Sequence, residues 1–260
     1  MSVLQIKPVK KIVISQPLFL PWKGMFDQTR MAKAYVFRDE AQLPISHGSK
    51  KGFIVRVQIK IENGWKWLTV PIRKIKDRTQ SIRETRFADD HWRKQHITDI
   101  RNAYKRAPFF EDIFETVVQP IYSFNTEFLC EFNIHAFKLL CDRIGISTNF
   151  YFASELPSAQ SEARSSEYVL EICQQFDAKE YITAHGARNY LDHELFERAG
   201  VRVMYMAYNL TPYPQINGPF TPYVSILDLL FNVNRDASDY LGAGCTYWKE
   251  DRQLNLEGTD

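Results

Sequence analysis

The octapeptide Thr183-Ala184-His185-Gly186-Ala187-Arg188-Asn189-Tyr190 gathers a histidine, a glycine, an arginine and hydroxyl groups just after the β-like run Glu180–Ala184. If that run is a strand of a parallel sheet, the octapeptide leaves its C-terminal end, where open α/β sheets bind ligands. His185 can there donate to a phosphate or act as acid or base near neutral pH. Gly186 permits close backbone approach and Arg188 can clamp a phosphate, with Thr183 and Tyr190 at the flanks. The plainer alternative is a solvated loop histidine beside a surface arginine. A second base candidate is His96, which shares a helix face with Ile100 and Tyr104 at spacings of four. A histidine on such a half-apolar face is either functional or a hydrogen-bonded core residue. Asp39 and Gln42 follow a second β-like run, where they can orient an amine or a sugar hydroxyl. Asp39 and Glu40 are adjacent, so on extended chain they point apart and do not form a paired acid and base.

The opening segment offers a different chemistry. Lys11-Ile12-Val13-Ile14 reads as a buried strand, followed by Gln16, Pro17, Pro21, Trp22 and Gly24 and then a helix through about Ala34. A strand, a shaped turn and a helix start suit a phosphate, because free N–H groups and the helix dipole favour negative charge. An ordinary strand-to-helix connection is the alternative. Near the other end Tyr223 can stack on a base, while Ser225 reads as a helix N-cap with Asp228 completing an approximate capping box. Gly-x-Ser-x-Gly, Walker, His-Glu-x-x-His and Asp-x-Asp patterns are absent from the sequence. That argues against a serine hydrolase, a P-loop kinase, a zincin or the commonest metal-dependent glycosyltransferases.

The elements that must position these residues alternate strand and helix. After the strand at 34–38 and a polar loop at 41–52 come two alternating runs, Phe53–Ile61 and Trp65–Ile72, joined at Asn63-Gly64 as a hairpin. A charged stretch at 73–86 reads as a surface loop. Helices are predicted from Asp89-Asp90 to about Lys105, at 109–117 and at 125–144, the last with Phe128, Phe132, His135, Leu139 and Ile144 as its inward stripe. Strands at 150–154, 180–184 and 201–206 then alternate with helices at 164–176 and 190–199, which implies right-handed crossovers and parallel pairing. The expected fold is one α/β domain over residues 1–260, a Rossmann-like mostly parallel sheet interrupted by a hairpin and helical insertion at about 53–145.

Composition narrows the setting. A net charge of +2 argues against non-specific nucleic-acid binding as the main role. Cys130, Cys141, Cys173 and Cys245 form no CxxC pair, so neither a disulfide framework nor a metal site is indicated. With no long apolar N-terminal run and no transmembrane-length segment, the expectation is a cytoplasmic protein.

Several of these segments resemble the WbqC-like family in order and spacing. They are Gln16-Pro17, Pro21-Trp22, Gly24, Phe26-Asp27 and Tyr35-Val36-Phe37; Gly64-Trp65 leading into Trp67–Pro71; and Trp92 and His96 through to Tyr104, Ala107 and Pro108. Ala178–Ile182 with Gly186, and Pro222 with Ser225–Asn232, extend the likeness over nearly the whole chain. The resemblance implies a setting among bacterial surface-polysaccharide genes, such as O-antigen and lipopolysaccharide clusters. With the nucleotide-compatible turn and the His/Arg loop, it suggests an enzyme forming an amide on a dTDP- or UDP-linked amino sugar. That is an N-acyl or N-aminoacyl transfer, with an acyl or aminoacyl donor as co-substrate and His185 or His96 as base; a homo-oligomer is compatible with it. The opening turn is also similar to that of pantothenate-ligase-type enzymes, which would make the protein an ATP-dependent amide ligase. Those enzymes place histidines in the turn, and this chain has none between Ser15 and Ala34, so ATP is the weaker expectation. A non-catalytic nucleotide-sugar or glycan binder is the third possibility.

Overall fold

The Ile12-Val13-Ile14 run does form a strand, β1 (Lys11–Ser15), and it lies in the middle of the sheet. The computed structural model describes residues 6–44, 52–74 and 79–251. Parts of the expected lead-in, of the loop at 41–52 and of the charged stretch at 73–86 fall outside the described residues.

From β1 the chain turns into α1 (Lys23–Arg30) and returns as β2 (Ala34–Phe37), parallel to β1. The predicted hairpin follows as β3 (Arg56–Ile61) and β4 (Gly64–Thr69), an antiparallel pair separate from the main sheet. Gly64 sits at φ +111, a conformation that side chains with a Cβ rarely adopt. The helices α2 (His91–Tyr104), α3 (Phe110–Ile113), α4 (Gln119–Ser123) and α5 (Leu129–Ile144) come next, with a π-helical turn at Phe114–Val118 between α3 and α4. Then β5 (Asn149–Phe152), α6 (Ser165–Gln175), β6 (Glu180–Thr183), α7 (His193–Arg198) and β7 (Arg202–Ala207) alternate as predicted. The sequence reading placed nothing regular after residue 206 except the helix start at Ser225. The structure has α8 (Ile226–Val233) there and a final strand, β8 (Gly244–Tyr247), antiparallel to β7.

Spatially the sheet runs β5-β2-β1-β6-β7-β8, all parallel except β8. Numbered along the chain, that is the 3-2-1-4-5-6 order of a Rossmann-like fold, with its switch point between β1 and β6. Alternate residues face two cores. Ile12, Ile14, Ala34, Val36 and Tyr181 pack under α6 and α7 with Phe176 and Phe196. Val13, Tyr35, Phe37 and Ile182 pack on the other face with Phe26 of α1 and Phe137 of α5.

Two local expectations change. α5 starts at Leu129, and His135 and Leu139 of the predicted inward stripe are only half-buried, His135 because its side of the helix borders a cavity. Asp228 does not close a capping box. Ser225 Oγ does cap α8, accepting from Leu227 N–H at 3.4 Å, but the Asp228 carboxylate turns inward to accept from Tyr104 Oη at 3.0 Å and Tyr213 Oη at 2.9 Å.

Candidate functional site

A cleft of about 400 Å³ opens where β1 and β6 diverge, at the position an open α/β sheet reserves for ligands. Ser15 and Gln16 reach it from the end of β1, Arg38 from the end of β2, and Thr183 and Gly186 from the end of β6. Tyr190 stands at the side, 59% exposed. The Thr183 hydroxyl already accepts from Tyr181 Oη at 3.2 Å, which leaves its own proton to offer. Arg38 pairs with Glu40 and lies over the Tyr168 ring, so its charge is partly balanced. Gly186 has no positive φ, and a Cβ there would meet open space. The fold itself does not require glycine at that position.

Sequence reasoning missed the most informative lining residue. Gln28 of α1 is 2% exposed, and its Nε2 donates to Ile182 O of β6 at 2.9 Å. That bond fixes the amide, leaving Oε1 buried with no partner in the cleft wall. An unpaired buried acceptor costs roughly 1–3 kcal/mol, a cost that a donor on a ligand would remove. A glutamine midway along a short helix carries no motif, so nothing in the sequence marked it.

His185 takes the other side of the same turn. Its Nε2 lies 2.6 Å from Met206 O, and since a carbonyl can only accept, Nε2 carries the proton. Nδ1 is then the basic nitrogen. The ring packs 5.5 Å from Tyr208, which packs 4.8 Å from Trp22, which in turn meets Tyr223 at 5.3 Å. Burial, with the Asp27 carboxylate nearby, pushes the Tyr208 phenol up to about 12. Three expected site residues are thus brought together through a tyrosine that the sequence reading did not single out.

The opening turn is not an open phosphate loop. Trp22 precedes α1, and a Cβ on Gly24 would fall 2.3 Å from its indole, so Gly24 is there for that ring. Lys23 is buried and donates to Asn209 O at 2.7 Å and Tyr240 O at 2.9 Å. Pro17 is buried, its carbonyl accepting from Asn133 Nδ2 at 3.0 Å. Of the turn's expected ligand residues only Gln16 reaches the cleft.

The remaining candidates lie elsewhere. Arg188 pairs with Asp251 and stacks 5.0 Å from Tyr205. Gln42 is exposed and bridges to Ser81. Asp39 is 5% exposed and accepts from Ser154 N at 3.0 Å and Oγ at 2.6 Å, lining a separate cavity. The segment after β2 therefore forms a wall between two cavities, with Arg38 and Ala41 on the cleft side and Asp39 on the other. His96 is in the core, 4% exposed, between Thr69 O and Tyr122 Oη, each at 3.2 Å. Burial lowers its pKa to about 4, which makes it a poor acceptor for an ammonium proton at neutral pH. Among the described residues no three His, Cys, Asp or Glu side chains converge as a metal site requires, and no helix is long and apolar enough to cross a membrane.

The model of the WbqC-like protein family matches residues 16–240. The chain is also 34% identical over 236 residues to the uncharacterized protein Rv1507c of Mycobacterium tuberculosis, covering 90% of this chain and 98% of that protein. No solved structure matches.

Proposed function

The chain belongs to the WbqC-like protein family, and we propose that it forms an amide on the amine of a nucleotide-linked amino sugar during assembly of a bacterial surface glycan such as an O-antigen. The observation that carries this reading is the switch-point cleft, with Gln16, Thr183 and Gly186 at strand ends and an unsatisfied Gln28 acceptor in its wall. The nucleotide-sugar, dTDP- or UDP-linked, lies across the turn after β6, between the cleft on one side and, on the other, His185 and the row from Tyr208 to Trp22 and Tyr223, whose faces can pack on a base or a sugar.

His185 is the base. Met206 O holds the proton on Nε2, so Nδ1 takes the proton that the sugar ammonium must lose. The freed amine attacks the carbonyl carbon of an activated acyl or aminoacyl donor, a thioester or an ester. The N–C bond forms as the C–S or C–O bond breaks; of the two protons that the nitrogen gives up, the one held on His185 passes to the leaving group and the other is released to solvent. Arg38 is the cation lining the cleft among the described residues, and its pairing with Glu40 supports a ligand with fewer negative charges than a triphosphate.

Thermal melts with dTDP- and UDP-amino sugars, ATP and acyl-CoA test this, since a ligand bound only by the folded chain raises the melting temperature. Stabilisation by an amino-sugar nucleotide, with turnover lost in His185→Gln while binding persists, is the expected result. Stabilisation by ATP with release of pyrophosphate or phosphate would replace the reading with an ATP-dependent ligase. Tight nucleotide-sugar binding with no turnover under any donor would make the protein a binder.

A further inference from the structure

The second cavity, about 620 Å³, opens beyond the ends of β2 and β5, across the Arg38–Ala41 wall from the cleft. One face of α5 forms its back, with Cys130, Ile134 and Lys138 at spacings of four. Phe124, Phe128 and Phe152 supply an aromatic lining. It is open to solvent at its rim, and its size is that of a small-molecule site.

Its polar groups divide by sign. Three of its carboxylates are already engaged: Asp39 by Ser154, Glu84 by Ser81 N and Oγ at 2.9 and 2.7 Å, and Glu131 by Thr126 Oγ1. The basic groups are not. Among the described residues no carboxylate lies within ion-pair distance of Arg83, His135 or Lys138. The His135 ring lies flat on Phe124, centroids 4.1 Å apart and planes at 11°, which fixes its orientation, and its Nε2 is buried with no partner. Lys138 Nζ lies 5.0 Å from the Phe152 ring centre and 5.7 Å from that of Phe150, in a place where burial disfavours its charge despite the fields of Glu155 and Asp142. A fourth carboxylate, Glu155, also lines the cavity and acts on the Lys138 charge without reaching ion-pair distance, so Lys138 and the buried His135 nitrogen stand above an apolar floor with no polar partner in contact among the described residues.

We propose that this cavity is a ligand site, separate from the cleft, for a small organic carboxylate with an aromatic or branched apolar body, its head group held by Lys138 and His135 with Arg83 at the rim. The carboxylate supplies the acceptors that these nitrogens lack, and the apolar body covers the phenylalanines. The site goes beyond the amide-forming reading and does not depend on it.

Amide-proton NMR titrations of the full chain with phenylacetate, isovalerate, phenylacetamide and inorganic phosphate test the site. Phenylacetate is expected to give saturable shifts in Cys130–Lys138 and Phe152–Ser154. The neutral amide, which has the body without the charge, should bind at least tenfold more weakly, and phosphate, which has the charge without the body, should leave these signals in place. Lys138→Met should weaken phenylacetate at least tenfold. His135→Phe, which keeps the stack on Phe124 but loses Nε2, should weaken it several-fold and serves alone if the lysine variant does not fold. Gly186→Ala, in the cleft, should leave it unchanged. Absence of saturation by both acids, equal affinity for acid and amide, shifts centred on the cleft, or a folded variant set with wild-type affinity would each overturn the proposal.

Discussion

Where β3, α2 and α8 meet, Lys60 is 1% exposed yet donates to Gln215 Oε1 at 2.8 Å, Gly218 O at 3.2 Å and Pro219 O. Close by, Asp228 accepts from two tyrosines, and His96 is held at both ring nitrogens. At the C-terminal edge of the sheet, equally buried polar atoms are left unpaired: Gln28 Oε1 beside the cleft and His135 Nε2 beside the second cavity. Other buried atoms without a hydrogen bond, such as Trp92 Nε1 on α2 and Asn133 Oδ1 on α5, line neither cavity. A polar group that closes its own bonds belongs to the fold. One left open beside a void is a group a ligand can complete.

The contrast is broken most severely at Lys60. Lys60→Met strands the carbonyls of Gly218 and Pro219, takes one of two donors from Gln215 Oε1, which keeps Thr221 N–H, and leaves Asp228 without its nearby cation, and should cost about 3–5 kcal/mol in urea unfolding. The next effect is in pH. Folding lowers His96 from its ordinary 6.5 to about 4, so its contribution is full above 6.5 and fades as pH falls toward 4, worth about 3 kcal/mol in all. Burial instead raises Asp228 from 3.8 to about 6, so its contribution is full below 3.8 and fades as pH rises through 6. The two slopes oppose each other. His96→Phe should therefore give a protein that loses stability from pH 4 to 6, Asp228→Asn one that gains it, and parallel profiles for the two variants would contradict the assignment.

Two glycines sharpen the same distinction. Gly24 is enclosed by the Trp22 indole, so Gly24→Ala should cost about 1–3 kcal/mol and move tryptophan fluorescence. Gly186 faces open space, so Gly186→Ala should change stability by less than about 0.5 kcal/mol while weakening amino-sugar nucleotide binding about tenfold. Unchanged ligand affinity there would remove the cleft from the site.

Much of this fold was legible because its signals are local. Short apolar runs ended by turn residues marked β1, β6 and β7, and Asn63-Gly64 marked the hairpin, whose two connecting residues are Glu62 and Asn63 with Gly64 paired to Ile61. β8 was not legible: Gly-Cys-Thr-Tyr is short and without clear alternation, and becomes a strand only because β7 offers it an edge. The site was legible in outline only. Strand ends predicted where a cleft would open, and Gln16, Thr183, Gly186 and Tyr190 do line it. Which way His185 and Arg188 turn depends on Met206 O and Asp251, distant partners that no local pattern announces. His135 fell on an apolar stripe by spacing, and only the packing around α5 leaves that side of the helix facing a void.

The wall after β2 has a consequence for how such a protein can diversify. Arg38 and Ala41 address one cavity while Asp39 between them addresses the other. An insertion or deletion of one residue in this stretch would exchange which side chains each cavity sees. The two preferences are therefore tied at this segment and can be changed separately only from the far walls: the turn after β6 for one cavity, the exposed side of α5 for the other.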